Sequence, residues 1–371
     1  MMSWGSNGGI MKFARLFIGA IHGVGLLALF AFSPVHAQPA FDPGLQRAIE
    51  VQERHTDSIM TNPGVVGTAV GRDIHGTPAV LILVEKTGAP GLPGTLDGVP
   101  VLVRRTGRIH ALPKCAQPPC GNPGSGSGGT SEPSRTARWP RPVPIGISTG
   151  HPAITAGTIG ARVTDGTKVY ALSNNHVYAN ENHAADGDAV IQPGTFDGGS
   201  STTDKIGALS AYVPIRFNCG CVLVCVCSGS DNTVDAAIAL TTPEFLRTST
   251  PSDGYGEPRS TTIAPAIDMK VKKYGRTTGP TTGRITAINA TVVVGYSRGY
   301  ARFTNQIMIE PGSFSAGGDS GSLIVVDGKG RAGADDRKAV GLLFAGSSFV
   351  TIANPIDEVL VSFGVTIEGA D

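Results

Sequence analysis

Glycine and proline are the residues that most restrict how this chain can fold. The 371 residues include 51 Gly and 26 Pro, spread along the whole length. Glycine weakens a helix and proline breaks one, so long helices are disfavoured. Short apolar runs separated by turn residues are instead typical of a β-rich protein. The hydrophobic content of 40% supports a sizeable core, and the length corresponds to about two domains.

The charge composition excludes several classes of protein. Net charge is +1, from 30 basic and 29 acidic residues, and charged residues make up 16% of the chain. Balanced charge argues against an electrostatic nucleic-acid binder and against a basic membrane-surface protein. So few charges also exclude a coiled coil and a charge-driven disordered chain. We therefore expect no nucleic-acid partner.

The first 37 residues have the pattern of a signal peptide. Lys12 and Arg15 precede an apolar stretch over 17–32, and a small-x-small cleavage motif follows at 35–37. We expect cleavage after Ala37, with an uncleaved anchor as the alternative. No second stretch long enough to span a bilayer follows. The sequence thus predicts a secreted or periplasmic protein with no membrane association after cleavage.

The rest of the chain falls into three segments. Residues 38–112 predict a small α+β N-terminal domain, because helical spacing over 45–60 is followed by strand-like runs. Residues 113–144 are rich in Pro, Gly and Ser and predict a flexible linker. Residues 145–371 hold short strands separated by turns, which predicts an antiparallel sandwich or barrel closed by a short helix over 356–363.

A glycine-rich turn, GGDSGS at 317–322, stands between two strand-like runs. Its glycines let the backbone bend sharply, which presents Ser320 as a nucleophile. The N–H groups of Gly318 and Ser320 can converge on a developing oxyanion. Gly-Asp-Ser-Gly is also a common turn, so the motif alone does not establish catalysis.

A serine nucleophile needs a base and a group that orients the base. Of the three histidines in the β domain, His151, His176 and His183, only His176 directly follows an apolar strand. Asp235 opens the apolar run VDAAIAL, where a carboxylate is partly buried and needs a partner. Asp231 is its competitor, and a salt bridge without a catalytic role is the alternative interpretation.

Six sequence strings carry a resemblance to a known family. They are ITAGTIGARV (154–163), LSNNHVYA (172–179), QPG followed by DGG (192–199), VDAAIAL (234–240), KKYGRTTGPTTGRI (272–285) and GGDSGSLIV (317–325). Over residues 145–366 the chain resembles the chymotrypsin-fold (trypsin-like) serine proteases. It is most similar to a bacterial branch related to the plant narrow-leaf proteins.

The resemblance implies an all-β double barrel (chymotrypsin-like) with the site in the cleft between the barrels. It implies His176 as base, Asp235 as orienting acid and Ser320 as nucleophile, with oxyanion donors at Gly318 and Ser320. We expect no cofactor and no metal ion. Ser322 departs from the family pattern, in which a second glycine commonly follows the serine motif.

The same resemblance implies where substrate binds. The stretch Phe344-Ala345-Gly346 matches the edge that takes an extended peptide by β-augmentation. Residues 313–317 match the primary pocket and contain Phe314 but no acidic residue. We therefore expect cleavage after small or medium uncharged residues. The alternative is that Phe314 is a core residue.

Many members of this family mature by freeing an N-terminus that pairs with the aspartate next to the nucleophile, here Asp319. Ile145-Gly146-Ile147 is only a faint match to that N-terminus, and Pro144 opposes cleavage before it. We expect no such insertion. The N-terminal domain is then a pro-segment, an inhibitor or a docking module, and the sequence leaves the three open.

The six cysteines predict disulfides, since an even number in an exported protein is typical of them. Cys219, Cys221, Cys225 and Cys227 alternate in one run, which also suits a tetrathiolate metal site, although the spacing is not Cys-x-x-Cys. Nested pairs 219–227 and 221–225 are possible, but Val222–Val224 is a poor turn. The remaining two are Cys115 and Cys120.

Together these features predict an exported serine endopeptidase that hydrolyses proteins or peptides through a Ser-His-Asp triad and an acyl-enzyme intermediate. The alternative is a catalytically silent protease-fold protein that binds peptides or partners. An α/β-hydrolase esterase is disfavoured because its residue order of Ser, Asp, His is absent. The oligomeric state stays open.

Overall fold

The computed structural model describes residues 42–111, 132–221, 224–328 and 333–371. The predicted signal peptide, much of the predicted linker, Cys115 and Cys120 lie outside these residues. Within them, no helix has both the length and the apolar character needed to cross a membrane.

The N-terminal region consists of one helix packed on short strands, as predicted. The helix begins after Asp42, whose carboxylate accepts the N–H of Leu45 at 3.1 Å, and Pro43 occupies its first turn. The elements are α1 (Pro43–Met60), β1 (Val65–Arg72), β2 (Pro78–Val84), β3 (Thr95–Leu96), β4 (Val99–Arg105) and β5 (Ile109–Ala111).

The first barrel is built from short antiparallel strands, in the order Ala189–Ile191, Lys205–Tyr212, Ala237–Thr241, Val169–Ser173, Ala161–Thr164 and Thr366–Ile367. Its segment contains β6 (Ser148–Thr149), β7 (Gly157–Thr158), β8 (Ala161–Thr164), β9 (Val169–Ser173), α2 (Asn175–Tyr178), β10 (Ala189–Ile191), a 3-10 turn (Thr195–Asp197), β11 (Lys205–Tyr212), β12 (Cys219–Cys221), β13 (Cys225–Cys227) and β14 (Ala237–Thr241). A buried cluster that includes Ile159, Val190 and Leu209 fills its interior.

The second barrel is a closed antiparallel ring, because each strand pairs with the next in the order β15-β16-β17-β20-β19-β18 and β18 returns to β15. Its segment contains β15 (Lys270–Gly275), β16 (Gly279–Gly295), β17 (Tyr300–Glu310), a 3-10 turn (Gly312–Phe314), β18 (Leu323–Val326), β19 (Ala339–Gly346), β20 (Thr351–Pro355), α3 (Ile356–Phe363) and β21 (Thr366–Ile367). The predicted all-β double barrel of chymotrypsin type, preceded by an α+β region, is confirmed.

The long β16–β17 hairpin joins the N-terminal region to the second barrel. The outer half of β16 pairs with β1, with Gly67 opposite Val292, and β2 continues the sheet. Side chains from both parts share one buried cluster, in which Val66 and Leu81 lie with Phe303 and Phe344. The α+β region therefore shares a sheet and a core with the barrel, while the boundaries of the predicted domains stay a prediction.

Part of the predicted linker packs against the first barrel. Trp139 is buried and its backbone N–H donates to Gln192 Oε1 at 3.1 Å. Arg138 Nε lies 2.5 Å from a carboxylate oxygen of the buried Asp204. These contacts hold residues 132–144 close to the strands that follow.

Four cysteines form two nested disulfides on the β12–β13 hairpin. Cys219 is bonded to Cys227 and Cys221 to Cys225, and the two members of each pair face one another across the strands. The expected disulfides are thus confirmed for this run of cysteines. The pairing extends the sheet beside the β16–β17 hairpin, where Cys219 lies opposite Tyr300.

We expect thiol counting on the unreduced, denatured protein to find these four cysteines unavailable for alkylation, because each sulfur is already bonded. Mass mapping of alkylated peptides before and after reduction makes the measurement. Free thiols at all four positions together with stoichiometric zinc would contradict the pairing and restore the metal interpretation.

Candidate active site

Strand register brings His176 and Asp235 together. β9 and β14 are antiparallel, with Ser173 opposite Ala237. His176 follows the end of β9 on the short helix α2, and Asp235 precedes the start of β14. Both side chains therefore lie at the same end of the sheet. His176 Nδ1 donates to Asp235 Oδ2 at 2.6 Å, and the His176 backbone N–H lies 3.2 Å from Oδ1.

The Asp235 carboxylate has no solvent exposure and is held from several sides. Tyr296 donates its hydroxyl to Oδ2 at 2.9 Å, so two donors share this oxygen. The backbone N–H of Asp235 donates to Asn354 Oδ1 at 3.1 Å, and its carbonyl accepts Asn174 Nδ2 at 2.8 Å. A buried carboxylate needs such partners, and these contacts fix its orientation.

The other candidates from the sequence are engaged elsewhere. Asp231 accepts Arg302 Nε at 2.6 Å on the partly exposed side of β17. His151 lies 3.1 Å from an oxygen of Asp188. His183 contacts the carbonyl of Asn180 and the guanidinium of Arg298. Of the three histidines, the structure brings only His176 to Asp235.

Two glycines make the turn around Ser320 possible. Gly318 and Gly321 both have a φ of +94°, which favours glycine. A Cβ on Gly321 would lie 2.1 Å from Ser173 Oγ and 2.3 Å from the Thr158 carbonyl oxygen. No side chain fits at this position, so the turn packs directly against the strand that leads to His176.

Ser320 lies in the same region as His176, because Gly157 approaches both the Ser320 carbonyl and the side chain of Val177, the residue after His176. A Cβ on Gly157 would lie 2.6 Å from the Val177 methyls and 3.1 Å from the Ser320 carbonyl oxygen. Ser320 is 2% exposed, and its hydroxyl donates to the Phe344 carbonyl at 3.4 Å. His176 Nε2 is buried and has no hydrogen-bond partner among the described residues. Long or absent catalytic hydrogen bonds are common before substrate binds.

Asp319, next to Ser320, has a cationic partner inside the chain. Lys273 Nζ lies 3.3 Å from Asp319 Oδ2, and neither side chain is exposed. The carboxylate also accepts the backbone N–H groups of Thr277 at 2.8 Å and Ala316 at 3.0 Å. Burial lowers the pKa of Lys273, and the nearby Asp319 charge opposes that effect. Lys273 thus supplies Asp319 with a cation from within the chain, so this pairing needs no freed N-terminus.

The side chains expected to line the primary pocket are largely internal. Phe314 is 1% exposed and packs in the core of the second barrel, and Phe344 is fully buried against Phe303 at 4.9 Å between ring centroids. Ser315 and Thr351 share a buried hydroxyl contact of 2.6 Å. The contribution of Phe314 and Phe344 to a substrate pocket stays a prediction.

The expected peptide edge carries a strand of the same chain. β5 pairs antiparallel with β19, with His110 opposite Gly346 and Ala111 opposite Ala345. A cleft of about 230 Å³ adjoins this pairing. Its lining includes His110, Ala111 and His176.

Sequence reasoning missed Tyr296 and Lys273. The burial of Lys273 could have been predicted, because strand alternation places it on the same face of β15 as buried Val271, while Lys272 points outward toward Asp336. No local pattern in the sequence indicates the role of Tyr296, because its contact with Asp235 joins a hairpin end to a distant strand.

Comparison with known proteins finds likeness in structure alone. No protein-family model and no curated protein matches this chain. A glutamic-acid-specific serine protease with a histidine triad in substrate binding is 22% identical, covering 61% of this chain and 100% of its own, with a TM-score of 0.42. Thermobifida fusca protease A is 18% identical, covering 62% and 99%, with a TM-score of 0.41. Nocardiopsis protease is 17% identical, covering 61% and 98%, with a TM-score of 0.41. The expected resemblance to chymotrypsin-fold bacterial serine proteases is confirmed as a likeness of fold.

Removing the buried cation should destabilise the turn that carries Ser320. Lys273→Met leaves the Asp319 charge buried without its counter-ion, which we expect to cost about 3–5 kcal/mol of unfolding free energy. Lys272→Met, on the same strand, is the matched control: its ammonium pairs with Asp336 at 2.7 Å and Asp327 at 3.6 Å, but all three side chains keep contact with solvent, so the loss should be clearly smaller. Denaturant unfolding measures both. Equal losses in the two variants would contradict the assigned role of Lys273.

Proposed function

We propose that this protease-fold protein is an exported serine endopeptidase with Ser320, His176 and Asp235 as its triad. The observation that carries the proposal is the 2.6 Å contact between His176 Nδ1 and the buried Asp235 carboxylate. This contact places the proton on Nδ1 and leaves Nε2, which has no partner among the described residues, free to act as a base. The two disulfides are compatible with an oxidising compartment outside the cytoplasm.

In the proposed reaction Ser320 Oγ attacks the peptide carbonyl carbon while its proton passes to His176 Nε2. The N–H groups of Gly318 and Ser320 stabilise the resulting oxyanion. His176 then gives the proton to the leaving nitrogen, the C–N bond breaks, and an acyl-enzyme ester remains. A water molecule then attacks the ester by the same steps, which releases the carboxylic acid product and restores the serine.

Labelling with a small fluorophosphonate separates an enzyme from a silent peptide binder, because the reagent reacts with an activated serine and needs no extended subsites. We expect the full chain to be labelled once, at Ser320, and Ser320→Ala to fold normally without being labelled. Ser362→Ala, on the exposed side of α3, serves as the control and should label like wild type. Absence of labelling in the wild-type chain, or equal labelling of Ser320→Ala, would refute the proposal.

The orienting carboxylate gives a second prediction. Asp235→Asn should lower kcat by roughly 10⁴-fold, since an amide favours the wrong tautomer of the histidine. Asp231→Asn changes a carboxylate four residues away that pairs with Arg302, and it should leave turnover nearly unchanged. Steady-state hydrolysis of a small activated ester, which needs no extended subsites, makes the comparison. The reverse order of effects would move the orienting role to Asp231.

Cleavage preference gives a third prediction. Residues 313–317 contribute no carboxylate, so an arginine or lysine side chain desolvated there would lack a partner at a cost of several kcal/mol. We expect cleavage after small or medium uncharged residues. Profiling with a peptide library tests this, and a profile dominated by Arg or Lys before the scissile bond would show that an acid from another loop reaches the pocket.

A further inference from the structure

The hydroxyl of Tyr296 lies next to the reacting groups, and the proposed mechanism gives it no role. It donates to Asp235 Oδ2 at 2.9 Å, the same oxygen that accepts His176 Nδ1. The ring meets the imidazole of His176 edge to face, with centroids 6.0 Å apart and planes at 70°. Tyr296 thus touches both the acid and the base.

The surroundings hold this ring in place. Phe217 packs edge to face on it at 5.6 Å between centroids, and the backbone N–H of Tyr296 donates to the Gly299 carbonyl at 2.8 Å. Burial and the Asp235 charge raise the pKa of Tyr296 well above its usual value, so the hydroxyl keeps its proton at ordinary pH.

We propose that Tyr296 is a positioning residue of the triad, which fixes the rotamer of Asp235 and thereby the orientation of His176. The role rests on the proposed serine-protease function. It makes the hairpin formed by β16 and β17 part of the active site, since the hairpin end carries the group that completes the hydrogen bonding of Asp235 Oδ2.

Tyr296→Phe tests this role, because it removes one oxygen and keeps the ring. We expect kcat to fall about tenfold to a hundredfold with little change in KM, as for loss of one hydrogen bond to a charged group. A fall in kcat at constant KM is expected of a residue that orients the reacting groups, because substrate binding does not depend on the Tyr296 hydroxyl.

Tyr300→Phe, on the same hairpin but without contact to Asp235, is the control and should keep both kcat and KM. An active Tyr296→Phe protein with the wild-type kcat would refute the positioning role while leaving the proposed function intact. A loss of thermal stability with an unchanged kcat per folded molecule would also refute it.

A second inference comes from an independent observation, the register of β5. This strand lies between two strands of the second barrel: it is parallel to β16, with Ile109 opposite Val294, and antiparallel to β19, with His110 opposite Gly346. It therefore uses the backbone edge that the family resemblance assigns to substrate.

The direction of β5 leads toward Ser320, the proposed nucleophile. Along the chain, His110 faces Gly346 and Ala111 faces Ala345, so the strand advances toward Phe344. The Phe344 carbonyl is the group that accepts the Ser320 hydroxyl at 3.4 Å. An extended peptide cannot pair with Ala345 and Gly346 while these residues remain there.

Specific contacts hold β5 on this edge. Ile109 is 2% exposed in the cluster shared with the barrel. Gly295 makes room for His110, since a Cβ there would lie 2.7 Å from His110 Nδ1. Ser347 donates its hydroxyl to the Thr106 carbonyl at 2.6 Å, which ties the approach to β5 to the loop after β19.

We infer that residues 109–111 occupy the peptide-binding edge in competition with substrate. The full chain therefore binds extended peptides only after β5 dissociates from β19. The inference concerns regulation of the proposed site. It favours the inhibitor or pro-segment interpretation of the N-terminal region over a docking module.

A reversible disulfide between β5 and β19, called the clamp below, tests the inference through peptide binding alone. Ala111 and Ala345 face each other across antiparallel strands, where Cα atoms lie about 4.5–5.5 Å apart, a separation that a disulfide spans. The full chain is prepared as Ala111→Cys/Ala345→Cys in a Ser320→Ala background. The probe is a fluorescein-labelled peptide with the sequence of residues 104–111, RRTGRIHA.

We expect the reduced clamp to bind the probe at least about tenfold more tightly than the oxidised clamp, measured by fluorescence anisotropy, because only the reduced form can release β5. Ser320→Ala alone, with and without reductant, controls for the native disulfides. Equal affinity of the oxidised and reduced clamps would refute the inference. Because this experiment measures no catalysis, its result is independent of fluorophosphonate labelling. The inference about β5 can therefore fail while the proposed function stands, and the proposed function can fail while the inference stands.

Discussion

The structure around the site depends on burying one charge, the carboxylate of Asp235. A buried carboxylate is costly unless hydrogen bonds satisfy it, and here the donors come from distant parts of the chain. His176 approaches from the first barrel and Tyr296 from the β16–β17 hairpin. Asn354, on β20 of the second barrel, accepts the backbone N–H of the same residue. Satisfying Asp235 therefore fixes the two barrels against each other as well as orienting the histidine.

A second buried charge performs a comparable task on the other side of the cleft. The ion pair of Lys273 and Asp319 anchors the turn that carries Ser320, with both side chains supplied by the second barrel. Because the cation is part of the folded chain, shaping of this turn needs no cleavage event that frees an amine. In the inferred regulation, control of the site instead belongs to β5, which pairs with the edge expected to take a peptide.

Much of this arrangement follows from local patterns in the sequence. The helix Pro43–Met60, the strands after it and the helix Ile356–Phe363 match their predicted positions, because caps, turn residues and apolar periodicity act over a few residues. The pairing of His176 with Asp235 could be predicted from the sequence because each residue flanks an apolar strand. The contact made by Tyr296 and the placement of β5 could not be predicted, since both depend on which distant strands meet. The ring of Phe314 lies in the core of the second barrel, and its predicted contribution to a substrate pocket stays a prediction.

The central claim is that Asp235 holds His176 so that Nε2 serves Ser320. A peptidyl chloromethyl ketone tests it most directly, because a serine protease adds its serine to the carbonyl while the histidine displaces chloride, which joins the two side chains through one inhibitor. Mass mapping of the Ala111→Cys/Ala345→Cys chain with Ser320 retained, treated in the oxidised and in the reduced state, should identify one adduct that bridges the peptides containing Ser320 and His176 in the reduced state. Alkylation at another residue, or an adduct on His176 that forms equally well in Ser320→Ala, would contradict the account.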